Sequence, residues 1–136
     1  MTESPGPRKN DHQNIDDDGS QVTTIRLPQH APAADPNRSS PVAQRMVRAD
    51  GGNIIAFTFA AGQSMPEHQA AHPIIVQCLS GYLDFTVEGR TVPMEPGVVL
   101  HLTARVPHDV VCPVNVTEDS VLMLTMLTGE TVGEER

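Results

Sequence analysis

The chain has 136 residues, a formal net charge of −8 and only 3% aromatic side chains. That length suits one domain of ordinary size with a tail. The nine basic residues are scattered without a Lys/Arg cluster, which argues against a nucleic-acid surface. No apolar run approaches the ~20 residues that span a bilayer, so no membrane contact is expected.

The first twenty residues, MTESPGPRKNDHQNIDDDGS, hold two hydrophobic side chains, Met1 and Ile15, and the acidic run Asp16–Asp18. Too little apolar surface is available there to offset ordering entropy, which predicts a disordered segment. It has no apolar h-region, so it is not read as a secretory signal, and a cytoplasmic location is the default expectation. QVTTIRL (21–27) fits a short edge strand, and PQHAPAADPNRSSP (28–41) a linker or a loop crossing the surface. His12 and His30 fall in these flanks and are expected to be solvated.

From residue 42 the pattern changes to short apolar runs broken by turns. VAQRMVR (42–48) and NIIAFTFA (53–60) flank Asp50-Gly51-Gly52-Asn53 and predict a β-hairpin. PIIVQCLS (73–80), YLDFTVEG (82–89), TVPM (91–94), VVLHL (98–102), DVVC (109–112) and SVLMLTML (120–127) follow, with turns at Glu88-Gly89-Arg90 and Pro96-Gly97. Strands at this spacing predict an all-β sandwich or barrel covering 42–128, with a polar tail at 129–136. With few aromatics, Val, Leu, Ile and Met must fill the core, Met123 and Met126 among them. Cys78 and Cys112 lie in apolar runs and read either as two buried thiols or as a disulfide.

Four of the six histidines, His68, His72, His101 and His108, lie within about forty residues of this β-rich region. Neutral imidazole is the commonest protein ligand for transition metals, so the cluster points to a metal site. A helix carrying His68 and His72 is excluded by Pro66 and Pro73, which leave six residues between them. The stretch is read as a strand, on which positions 68, 70, 72 and 74 share one face. The competing reading of His68 and His108 is a structural pair, hydrogen-bonded at the mouth of a barrel. His72 also reads as an exposed residue before a proline. His101, in an apolar strand, reads as a core histidine or as a partner behind the metal ligands.

Residues 43–127 resemble a small single-domain cupin. In that family's first motif a glycine is followed by five residues, His-x-His, a glutamate and a closing glycine. Gly62 and QSMPE here place the first histidine at His68 and the closing glycine at Gly81. In the second motif a glycine and five residues precede Pro-x-Gly, a histidine and an asparagine. Gly97 and VVLHL place that histidine at His108. Departures fall at Ala70, Ile74, Thr103, Arg105 and Cys112, where the family has His, Glu, Pro, Gly and Asn.

The resemblance implies a cupin-like antiparallel β-barrel (double-stranded β-helix or jelly roll) that pairs as a homodimer. It also implies a divalent metal, Fe, Mn, Ni or Zn, in the barrel mouth. His72, on the same strand face, fills the gap left by Ala70 and Ile74, completing a His68/His72/His108 site with open positions for water or substrate. A three-histidine site without glutamate resembles the thiol and diketone dioxygenase members of the family. The metal would then bind oxygen and a small-molecule substrate together, or polarise a carbonyl, with His101 the only candidate general base. The alternative is a non-catalytic ligand-binding or sensing barrel. A regulatory module acting through its tail is weaker, since the chain has no DNA-reading helix.

Overall fold

The computed structural model describes residues 21–129, and the expected disorder of 1–20 and the 130–136 part of the polar tail lie outside them. Nine strands and no helix occur among the described residues. They are β1 (Val42–Ala49), β2 (Gly52–Phe59), β3 (Ser64–His68), β4 (Ile74–Ser80), β5 (Leu83–Val87), β6 (Arg90–Met94), β7 (Val99–Leu102), β8 (His108–Val111) and β9 (Ser120–Leu127). They form a five-stranded sheet in the order β1-β2-β9-β4-β7 and a four-stranded sheet in the order β3-β8-β5-β6, with antiparallel pairing throughout both. The expected all-β jelly-roll architecture is the one observed.

Alternation decides which side chains fill the space between the sheets. On β2, Phe59 lies in the core, with Ile55 and Phe57 packed against it. Ile74, Val76 and Cys78 from β4, Leu83 and Phe85 from β5, and Leu122 and Leu124 from β9 complete the centre. Met94 is buried there and Met126 packs against it, as expected of methionine filler. Met123 does not join them. It pairs with Ala56 and Gln77 on the outward side of the sheet, because β9 turns Leu122 and Leu124 inward. Cys78 and Cys112 are both buried free thiols. Burial pushes the Cys78 thiol up to about 11, which keeps it protonated and unreactive at neutral pH.

Two expectations need correction, and one strand was not foreseen. QVTTIRL forms no strand; residues 22–26 are irregular and 27–30 form a turn. The run from 68 to 74 is not one strand, because β3 ends at His68 and 69–73 form a connection before β4 begins at Ile74. The strand Ser64–His68 is hidden in the sequence by Pro66, which cannot donate to a ladder and sits at an irregularity in the pairing. The 28–41 segment crosses the surface, as one of its two readings had it, and is held there by buried polar contacts. Gln63, 2% exposed, donates through Nε2 to the carbonyls of Asp35 (2.7 Å) and Arg38 (2.9 Å). Its Oε1 accepts from the Ala60 amide at 2.8 Å, and the Ser64 amide donates to the Ser39 carbonyl at 3.1 Å.

A second polar clasp joins the two sheets. Ser120, fully buried at the start of β9, accepts from the Tyr82 amide (2.9 Å) and donates to the Tyr82 carbonyl (3.0 Å) just before β5. Gly81 packs so closely here that a Cβ would lie 2.7 Å from the Ser120 Cα, and its φ of +76° also disfavours a side chain.

Truncating either clasp leaves buried backbone groups without partners. Gln63→Leu is expected to lower unfolding free energy by about 3 kcal/mol, and Ser120→Ala by about 2 kcal/mol, measured by urea denaturation. A change below about 0.5 kcal/mol in either variant would show that the clasp carries no stability.

Candidate metal and ligand site

The two histidines of the separate motifs meet at one end of the barrel. His68, on the edge strand β3, pairs with His108 on β8. Their ring centroids are 4.4 Å apart in an edge-to-face arrangement. A slip in register produces this meeting. Met65 pairs with Val110 and packs against the core, yet the next recorded pair is His68 with His108. Three steps on β3 thus match two on β8, an extra residue in the manner of a β-bulge. In an unbroken strand His68 would face away from the side that Met65 faces; the bulge at Pro66-Glu67 turns it back toward His108.

Each ring is fixed by the same local device. His68 Nδ1 lies 2.7 Å from the Pro66 carbonyl, and His108 Nδ1 lies 3.0 Å from the Val106 carbonyl, each two residues earlier. A carbonyl only accepts, so Nδ1–H is the donor in both rings. In the neutral imidazole the lone pair then sits on Nε2. His108 is 3% exposed and stacks on Phe85, with ring centroids 5.3 Å apart and planes 9° from parallel. Burial lowers its pKa, the nearby His68 acts in the same direction, and the Val106 hydrogen bond and Asp109 oppose them. His108 is therefore held as a neutral donor inside the rim, while His68 is exposed on it.

The other candidates are placed differently. His72 lies half-buried in the 69–73 connection, off the strand that was to align it with His68. Among the described residues no group of three or more His, Cys, Asp or Glu side chains is placed to hold one metal ion. His101 is exposed on the edge strand β7, pairing with Ile75 on the outward side of the five-stranded sheet, because Leu100 and Leu102 take the inward positions. It is therefore not a core histidine. The positions where the first motif would carry its further ligands are apolar: Ala70 packs against the core and Ile74 is buried within it. Arg105, standing at a motif glycine, adopts a φ of +68°, and its amide donates to the Ala70 carbonyl at 2.8 Å. That contact ties the 103–107 loop to the connection beside His68.

The donor set fits a metal in part. Both imidazoles carry the carbonyl-anchored Nδ1–H common behind metal-ligating histidines, and both leave Nε2 free of its proton. Among the described residues only two such groups are gathered, so a metal held by them would need further ligands from water or a bound molecule. Sequence parity missed the bulge, although Pro66 inside a strand was the available signal.

The cupin-domain family model matches residues 56–126, more than half of the chain, and includes both histidines. A cupin superfamily protein from Desulfitobacterium hafniense is similar in structure, with a TM-score of 0.66 at 18% identity, over 84% of this chain and 94% of that one. An RmlC-like cupin protein from Desulfovibrio desulfuricans gives 0.62 at 25% identity, over 76% and 95%. KdgF from Halomonas sp. gives 0.62 at 14% identity, over 75% and 91%. No curated protein matches the chain in sequence.

The lowered pKa of His108 sets a pH dependence. An unfolded imidazole titrates near its ordinary value of 6.5, and the folded one below it. As pH falls, the unfolded chain takes up this proton first. The stability from neutral His108 is thus present above 6.5 and lost as pH falls through the folded value. In chelator-treated protein, stability measured from about pH 7 to about pH 5 is expected to fall, and the fall should be shallower in His108→Phe. Equal slopes in the two proteins would show that His108 does not titrate in the expected direction.

Proposed function

The chain belongs to the cupin family, and from that premise we propose that it is a small-molecule-binding cupin that holds a divalent metal through His68 and His108. The observation that carries this reading is the matched anchoring of the two rings, each Nδ1–H on a carbonyl and each Nε2 left as donor. Iron(II), manganese(II), nickel(II) and zinc(II) all accept imidazole nitrogen. A metal held there supplies Lewis acidity toward an oxygen-bearing group on the ligand. The chain's own residues orient the site. Phe85 holds the plane of the His108 ring, and the apolar Ala70 and Ile74 keep the surroundings dry. In this reading His72 stands outside the metal's coordination.

A second reading is favoured by Ala70 and Ile74, which put apolar side chains where the family motif has two ligands. The barrel is then a binding module, and the two Nε2 atoms accept hydrogen bonds directly from a ligand's donors.

Metal analysis of protein purified without a histidine tag, followed by titration of the stripped protein with each of the four metals, tests both readings. Stoichiometric binding is expected. His68→Ala and His108→Ala should each weaken it by at least about 100-fold, and His72→Ala should leave it within about threefold. Loss in all three variants would replace the pair by a three-histidine site. Absence of binding in the unaltered protein after reconstitution would leave the binding module.

A further inference from the structure

The rim around the histidine pair carries a strained residue. Among the described residues, two positions other than glycine have a positive φ, Glu88 (54°) and Arg105 (68°). Glu88 is accounted for by its turn. With Gly89, at a φ of 75°, it forms the two-residue loop between β5 and β6, and tight hairpin turns call for positive φ at both positions. Arg105 is in no hairpin. It lies in the 103–107 connection that leads from β7 in one sheet to β8 in the other. A glycine would take the same backbone without hindrance, whereas a Cβ is disfavoured there. Strain of this kind concentrates at ligand-binding sites, where the placement of one side chain matters.

That placement is fixed from both sides. The Arg105 amide donates to the carbonyl of Ala70, two residues beyond His68, at 2.8 Å. The carbonyl of the next residue, Val106, accepts from His108 Nδ1 at 3.0 Å. Arg105 is thus held between the segments that carry the two rings. It is also the one permanently charged residue in the two connections of the rim, 69–73 and 103–107. It is exposed, and no hydrogen bond or ion pair engages its guanidinium among the described residues. Asp109 does not face the same space: it pairs with Thr86, and alternation turns it away from the side that His108 faces. The remaining surroundings are apolar. Ala70, Val106 and Val87, the last paired with His108, all pack against the core.

Building on the histidine pair as the ligand site, we propose that the barrel mouth takes a small carboxylate with an apolar body, and that Arg105 selects it. The planar guanidinium donates to both carboxylate oxygens or to the one left free by a metal, a geometry that lysine does not match. The apolar body lies against Ala70, Val87 and Val106. In a chain with a net charge of −8, an anion finds little attraction elsewhere, so one fixed cation at the mouth decides where it binds.

The test is NMR-monitored titration of the full chain, both stripped and zinc-loaded, with sodium isovalerate and with isovaleramide, its neutral counterpart of the same shape. Saturable binding is expected, with the carboxylate at least about tenfold tighter than the amide. Arg105→Gln removes the charge and keeps the backbone strain, and Arg105→Gly removes both. Each is expected to lower carboxylate affinity to that of the amide and to leave zinc binding unchanged. Arg105→Gly should fold with an unfolding midpoint no lower than that of the unaltered protein, because glycine accepts the positive φ. Arg105→Lys should bind the carboxylate with intermediate affinity, since the charge remains and the planar fork is lost. The proposal is overturned by an absence of saturable carboxylate binding in both forms, by equal affinities for carboxylate and amide, or by carboxylate affinity unchanged in Arg105→Gln and Arg105→Gly. Zinc uptake without Arg105-dependent carboxylate binding would overturn this proposal alone. Arg105-dependent carboxylate binding in a protein that takes up no metal would support it and overturn the metal reading alone.

Discussion

The position of β5 relative to β9 is the constraint from which the rest of the barrel follows, and one buried hydroxyl sets it. Ser120 opens β9 in one sheet and bonds both backbone groups of Tyr82, immediately before β5 in the other. Gly81 permits this approach because a side chain there would strike Ser120. With β5 placed, its pairing fixes β8 through Phe85 opposite Val110 and Val87 opposite His108. β8 in turn fixes β3 through His68 opposite His108. The geometry at the histidine end is thus inherited, strand by strand, from a contact near the other end. A small interior packed by aliphatic side chains has little directional specificity of its own. Directional hydrogen bonds therefore select one register among packings of similar apolar content.

The same economy of polar groups shapes the histidine pair. Neither ring is held by a distant carboxylate; each is anchored on a carbonyl two residues earlier, Pro66 within β3 and Val106 in the loop before β8. The anchoring is local, so neither ring depends on a distant residue for its orientation. Burial then makes the two rings unlike. His108, stacked on Phe85, disfavours the charged form, while His68 stands at the rim in contact with solvent. The mouth thus places one dry and one wet imidazole beside an apolar wall.

The outward side of the five-stranded sheet follows the opposite logic. In the barrel, buried polar atoms have partners supplied by the chain; at Thr58 the register supplies two valines instead. The 28–41 segment, tied down by Gln63 and Ser64, converts that stretch of sheet face from open surface into a walled groove.

Much of this was written in local sequence. Alternating apolar residues marked eight of the nine strands, and turn residues such as Asp50-Gly51 and Glu88-Gly89 marked where they reverse, because side-chain period and backbone conformation are local properties. Two motifs separated along the chain indicated that His68 and His108 would meet. Tertiary structure alone decided which histidines joined them. His72 lies off the strand that was to align it with His68, because parity counts hold only along an unbroken strand, and β3 bulges at Pro66 and ends at His68. His101 went to the outward face because β7 pairs with β4 in a register that turns Leu100 and Leu102 inward. The unpaired Thr58 hydroxyl had no local signature, since a threonine in a strand finds or lacks a partner only through what other strands and loops place beside it. The sequence by itself determined eight of the nine strands, their apolar faces and the resemblance to the family. Tertiary structure determined register, and register is nonlocal because each strand's pairing is settled by neighbours distant along the chain.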